Sequence, residues 1–190
     1  MKFLYILPIF FICSCTNNRL IKDMRSLMGQ QITVSVDWNT VLKGKDTVLS
    51  DFTKVPIKLI VWVDSLGCTS CEANSMYMWK DIANYADSLS QWFNIIFLFT
   101  PKKKDLPALS TVLTRELLDY PIFIDLNGRF VRQNPNLPKN RQLHTFLLDK
   151  NNKVVMVGSP LYNPTLWKLY KRTIQTMINN DGVLPTQLHP

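Results

Sequence analysis

Two cysteines separated by two residues carry the most specific chemistry in this chain. They lie in Cys68-Thr69-Ser70-Cys71, between an apolar run at 57–63 and a segment whose apolar residues recur at helical spacing. A C-x-x-C motif at such a junction is typical of thiol–disulfide exchange. We expect Cys68 to be the attacking thiolate, because the free N–H groups of a helix N-terminus favour a negative sulfur. Cys71 is expected to be better shielded and to resolve the mixed disulfide.

Polar residues around the motif have candidate roles in the same chemistry. Asp64 and Glu72 could each accept a proton from the second cysteine, although Asp64 could instead cap a turn and Glu72 could simply favour the helix N-terminus. Thr69 and Ser70 are small and offer hydroxyl donors to a thiolate, so we expect them to face the substrate. Gly67 is predicted to permit a tight backbone turn before the first cysteine.

The first residues have the pattern of an export signal. Lys2 precedes the apolar stretch 3–12, which is shorter than the ~20 residues needed to span a bilayer. The stretch ends in Ile12-Cys13-Ser14-Cys15, which resembles the bacterial lipobox. We therefore predict a lipoprotein signal peptide at 1–14 and lipid attachment at Cys15. The alternative is an ordinary cleaved signal peptide that leaves Cys15 as a free or pairing thiol.

The remaining cysteines support a reactive pair. The chain has 4 cysteines; Cys13 leaves with the signal peptide and Cys15 takes the lipid. Only Cys68 and Cys71 then remain in the mature protein. So short a disulfide loop removes little chain entropy, and this favours a redox role over a stabilising one.

Composition indicates one globular domain. The apolar fraction is 46% and the charged fraction 19%. We expect a tether at 15–30 and a domain at 31–190. The net charge of +8 could hold the domain near anionic lipid headgroups. The densest basic cluster, Lys102 to Lys104, has no interleaved aromatic residues, so nucleic-acid binding is not expected.

The alternation of strands and helices predicts an α/β protein with a mixed central sheet flanked by helices, after an N-terminal β-hairpin. The tether is predicted to contain a marginal helix. Predicted strands are 31–37 and 47–49 (the hairpin), 57–63, 94–99, 121–125, a short strand near Phe130, 145–148 and 154–157. Predicted helices are 71–91, 105–118 and 164–179, the last with Asn163 as its N-cap and Pro164 as its first residue.

Three phrases resemble the membrane-tethered thioredoxin-like reductases of bacterial cell envelopes. They are residues 58–71, residues 121–128 and residues 144–154. The resemblance implies the thioredoxin-like fold, envelope partners bearing thiols or disulfides, and a location on the periplasmic side of a membrane. It also implies that His144 and Thr145 face the cysteines and the substrate. Where the family has a cis-proline, this chain has His144, and a trans bond before it is the default.

His144 leaves a second function open. Two thiolates and an imidazole are good ligands for Cu(I) or Zn, so Cys68, Cys71 and His144 could form a metal-delivery site. The alternative role of His144 is that of a loop histidine bonded to backbone. The sequence therefore allows three functions: an envelope thiol–disulfide oxidoreductase that needs no cofactor beyond its own disulfide, a metallochaperone, and a thioredoxin-fold binding module without catalysis.

Overall fold

The computed structural model describes residues 15–35, 38–42, 45–47, 49, 51–115 and 118–185. The predicted signal peptide, residues 36, 37 and 48 of the predicted hairpin and the C-terminal residues 186–190 lie outside these residues. The helices are α1 (Cys15–Leu27), α2 (Thr69–Asn74), α3 (Lys80–Asp87), α4 (Leu106–Leu113), α5 (Arg129–Gln133) and α6 (Pro164–Ile178). The strands are β1 (Asn39–Leu42), β2 (Lys45–Thr47), β3 (Ile57–Val63), β4 (Phe93–Phe99), β5 (Ile122–Ile124), β6 (Thr145–Leu148) and β7 (Val154–Val157).

The strands form one mixed sheet in the order β2-β1-β5-β4-β3-β6-β7. β3 pairs in parallel with β4 and antiparallel with β6. Every residue of β3 and β4 is buried. Such continuous apolar runs are typical of central strands covered on both faces, and the α/β class with a mixed sheet flanked by helices is confirmed.

The alternation of side chains along β3 divides the core into two layers. Leu59, Val61 and Val63 pack on one face with α2, α3, α4 and α6. Ile60 and Trp62 pack on the other face with Leu27 of α1 and Phe130 of α5. The sheet is therefore held on both sides, and the carboxyl end of β3 is fixed between the two layers.

The N-terminal predictions need correction. The hairpin exists, but its strands are β1 and β2. Of the strand predicted at 31–37, the described residues 31–35 form no strand, and Gln31 makes an isolated bridge to Lys153. The helix predicted within the tether segment is present as α1, and its Leu27 is fully buried. Among the described helices, none is long and apolar enough to cross a membrane.

Two helical predictions differ in detail from the structure. The helix predicted at 71–91 is divided into α2, a 3-10 turn at Met76–Trp79 and α3. The strand predicted near Phe130 is instead α5, because the Asp125 carboxylate accepts the Phe130 amide at 2.8 Å and starts a helical turn. The strands β6 and β7 and the Asn163 cap, whose side chain accepts the Leu166 amide, are confirmed.

Lys58 is a buried charge in the central strand β3. Its side chain donates to Asn152 Oδ1 at 3.0 Å. Burial lowers the pKa of Lys58 to about 8, and the nearby carboxylate of Asp149 opposes this shift. The charged form of Lys58 is therefore less stable in the folded protein than in the unfolded chain.

We expect Lys58→Met to raise the free energy of unfolding at pH 7 by about 1–3 kcal/mol. The unfolded lysine titrates near 10.4 and the folded one near 8. The destabilisation by Lys58 is thus fully present below pH 8 and disappears as the pH rises above 10.4. Urea titrations at pH 7 and pH 10.5, with exposed Lys54→Met as the control, measure this. An equal advantage of Lys58→Met at both pH values would contradict the assignment.

Candidate active site

The C-x-x-C motif comes after the short turn 64–67 that follows β3. Cys68 is the N-cap of α2, and its Sγ accepts the backbone N–H of Cys71 at 3.2 Å. The two sulfurs form a disulfide, with the Cα atoms 5.2 Å apart. Both cysteines are exposed, and the better shielding expected for Cys71 stays a prediction. The pair is directly open to attack by a thiolate of another protein.

Asp64 shapes the turn that leads to the cysteines. Its Oδ1 accepts the backbone N–H of Leu66 at 3.1 Å and that of Gly67 at 3.3 Å. Such Asx hydrogen bonds fix a turn without help from a distant partner. Asp64 is 5% exposed. The structure thus shows the turn-capping alternative, and a proton-acceptor role for this carboxylate stays a prediction.

Arg141 connects the turn, the helix and the facing loop, and the sequence analysis missed it. Its Nε lies 3.5 Å from Asp64 Oδ1, and its Nη2 lies 3.2 Å from Glu72 Oε1. Glu72 stands in the first turn of α2, as expected for a residue that favours a helix N-terminus. In the sequence, Arg141 is a basic residue three positions before His144, in a polar loop with no periodic pattern. This position was the one sign of its role.

His144 closes the facing loop and is 3% exposed. The peptide bond before it is trans, because no described residue has a cis bond. Its ring stacks on Trp62, with centroids 4.0 Å apart. The backbone of His144 is also engaged: its N–H donates to Arg141 O at 3.1 Å, and its carbonyl accepts the Trp62 N–H at 2.9 Å.

The ring nitrogens of His144 point to oxygen atoms. Nε2 lies 2.9 Å from the carbonyl of Pro138 and must donate to it, since a carbonyl only accepts. Nδ1 is buried without a hydrogen bond, 3.9 Å from Asp64 Oδ2. Burial lowers the pKa of His144 despite the nearby Pro138 carbonyl and Asp64 carboxylate. His144 is therefore neutral near pH 7.

The Nε2 of His144 is engaged by the Pro138 carbonyl, and the two sulfurs are joined in the disulfide. Within the described part of the chain, no group of three His, Cys, Asp or Glu residues could hold a metal ion. Metal binding by Cys68, Cys71 and His144, which needs both cysteines reduced, stays a prediction. The contact of His144 with the Pro138 carbonyl fits the alternative of a loop histidine bonded to backbone.

A groove of about 410 Å³ runs beside the motif. Among the residues expected to face a substrate, His144 and Thr145 line this groove, although both are largely buried. Ser70 is partly exposed, and its hydroxyl lies 3.6 Å from the sulfur of Cys68. Thr69 is 2% exposed, and its contact with a substrate stays a prediction.

We expect His144 to make the protein less stable as the pH falls. Its folded-state pKa is lowered, so the unfolded chain gains the proton first, and stability is lost as the pH falls below about 6.5. The loss is about 1.4 kcal/mol per pH unit until the folded imidazole is protonated. Denaturant titrations between pH 7.5 and 5 should show a smaller slope for His144→Phe in a His189→Gln background, which leaves no other histidine. Equal slopes would contradict this assignment.

Comparison with solved structures identifies the fold. No protein-family model and no curated protein matches the chain by sequence. An uncharacterized conserved protein of Geobacillus kaustophilus is similar with a TM-score of 0.54 and 11% identity, over 84% of this chain and 87% of that one. A candidate protein disulfide isomerase of Bacteroides thetaiotaomicron is similar with a TM-score of 0.51 and 17% identity, over 80% of this chain and 90% of that one. AhpC of Enterococcus faecalis has a TM-score of 0.50 and 14% identity, over 84% of this chain and 99% of that one. The chain therefore has the thioredoxin-like fold, with a C-x-x-C pair at disulfide distance at the start of a helix.

Proposed function

We propose that this protein is a thiol–disulfide oxidoreductase of the bacterial cell envelope that acts on proteins bearing thiols or disulfides. One observation carries the proposal: the Cys68–Cys71 disulfide is exposed at the start of α2, beside an open groove. A disulfide with a structural role gains most from closing a long loop. This one closes a loop of two intervening residues on the surface.

The exchange needs no group that the chain lacks. The Cys68 thiolate attacks one sulfur of a partner disulfide, forms a mixed disulfide and releases the other partner sulfur as a thiolate. The Cys71 thiolate then attacks the Cys68 sulfur, forms the intramolecular disulfide and releases the second partner thiolate. Two electrons pass from the dithiol to the partner, and the reverse sequence oxidises a partner dithiol.

The groove supplies a surface for the partner chain. Met76, Trp79, Leu161 and Tyr162 line it together with the polar Gln142. Leu66 and Tyr162 are 75% and 76% exposed, and large exposed apolar side chains near a reactive group are typical of contact surfaces. These residues support transient contact with a polypeptide.

We expect Cys71→Ser to accumulate mixed disulfides with envelope proteins and Cys68→Ser to accumulate far fewer. The first variant keeps the attacking sulfur and removes the resolving one. Non-reducing electrophoresis of acid-quenched cells, followed by mass spectrometry of the adducts, makes the comparison. The Cys68→Ser/Cys71→Ser double variant is the control. Absence of adducts with Cys71→Ser would refute the exchange function.

A lipid at Cys15 would place this activity at a membrane, facing the periplasm. α1 begins at Cys15, so the predicted lipid and the folded domain are joined by a helix. The basic residues of α1, Arg19, Lys22 and Arg25, are exposed. Basic side chains next to an anchor add attraction to anionic headgroups. These features support lipid anchoring over an ordinary cleaved signal.

Metabolic labelling with a palmitate analogue tests the anchor. We expect the wild-type protein to take up the label, with a mature chain that starts at Cys15, and Cys15→Ser to take up none. The mass of the N-terminal peptide identifies the modified residue. Uptake by neither protein, with the wild type cleaved elsewhere, would favour an ordinary signal peptide.

A further inference from the structure

Arg141 occupies an unusual place beside the dithiol. We propose that Arg141 is a positioning residue that holds the Cys68 sulfur in its thiolate form during exchange. This inference rests on the proposed function, because it describes the same site. It assigns a role to a side chain from the loop before β6, which is remote from the C-x-x-C motif in sequence.

The side chain of Arg141 is anchored at the base of the motif. It belongs to the 3-10 turn Arg141–Leu143. From there its guanidinium reaches the buried carboxylate of Asp64 and the half-exposed carboxylate of Glu72, at 3.5 and 3.2 Å. One of these carboxylates precedes Cys68 and the other follows Cys71. The cation is therefore held between two carboxylates, one on each side of the C-x-x-C motif in the chain.

Gly67 shows how closely the guanidinium approaches this segment. A Cβ placed on Gly67 would lie 2.3 Å from Arg141 Nη2 and 2.4 Å from its Cζ. The φ angle of Gly67 is not positive, so a side chain at this position would meet the movable guanidinium and not a strained backbone. The cation thus lies against the backbone of the residue immediately before Cys68.

The charges around the guanidinium define its effect. Asp64 and Glu72 bring two negative charges to the site, and Arg141 is the cation that faces them. His144 is neutral by the argument above, and Arg115 reaches Asn74 at the far end of α2. Loss of Arg141 would remove the positive charge that pairs with these two carboxylates. Negative neighbours disfavour a thiolate, and a positive neighbour favours it.

A purely structural role makes a different prediction. Arg141→Gln and Glu72→Gln both break the same ion pair. If the pair only fixes the loop, the two variants should change the reactivity of Cys68 in the same direction. If charge is the cause, they should change it in opposite directions, because one removes a positive charge and the other a negative one.

The experiment uses the reduced full-length chain and follows alkylation of Cys68 by iodoacetamide against pH, with mass spectrometry to locate the label. We expect Arg141→Gln to move the midpoint of the profile to higher pH, by roughly one unit, and to slow alkylation at neutral pH roughly tenfold. Glu72→Gln should move the midpoint to lower pH. Arg141→Lys should restore part of the wild-type profile, since it keeps the charge without the planar fork.

Lys139→Gln is the matched control, because it removes a positive charge from the same loop without a contact to the motif. Its profile should match the wild type. Thermal unfolding of each variant identifies loss of folding. If Arg141→Gln does not fold, Gly67→Ala replaces it: the new methyl group displaces the guanidinium, and the midpoint should again rise.

Shifts of the same sign in Arg141→Gln and Glu72→Gln, or no shift in either, would overturn the inference. Alkylation needs no partner protein, so its outcome is independent of the trapping experiment. Opposite shifts without mixed disulfides would leave the role of Arg141 intact and refute the exchange function. Mixed disulfides with unshifted alkylation profiles would support the exchange function and refute the role of Arg141.

Discussion

Burial of β3 on both faces is the constraint on which the other features depend. All seven of its residues are buried, and they alternate between the two core layers. A strand fixed in this way cannot shift its register without exposing one set of apolar side chains. Its carboxyl end is consequently a fixed point, and the turn capped by Asp64 starts there. The antiparallel neighbour β6 begins at the same end, so the loop that carries Arg141 and His144 faces the cysteines.

The sequence predicted those parts of the fold that depend on local patterns. β3, β4, β6 and β7 are apolar runs of strand length, and α6 begins with a cap and a proline that act within a few residues. The errors have tertiary causes. The apolar spacing from 72 to 93 continues through Ser75, so periodicity gave no sign that the helix is divided there. α5 depends on Asp125, a residue outside the helix, which captures the Phe130 amide.

The predictions of the site residues show the same difference between local and tertiary causes. The dithiol was found because its two cysteines are local and chemically specific. Arg141 was missed because its contact with Glu72 joins residues 69 positions apart, and no pattern in one sequence reports such a pair. The burial of Thr69 was also hidden, because a threonine in the first turn of a helix can point inward or outward with equal local preference. His144 was recognised as unusual from the sequence, but its contacts with Asp64 and Pro138 depend on the conformation of the folded loop.

The hydrogen bonds of His144 limit how another chain can approach. Its amide and its carbonyl are both satisfied within the protein, by Arg141 and by Trp62. A visiting polypeptide therefore finds no open ladder at this residue to which it could add an extra strand. Affinity at this point must therefore come from side-chain contacts. Such contacts depend on the sequence of the partner, whereas main-chain pairing is possible with almost any sequence. Recognition of a partner at His144 would thus depend on side-chain contacts, which differ from one partner sequence to another.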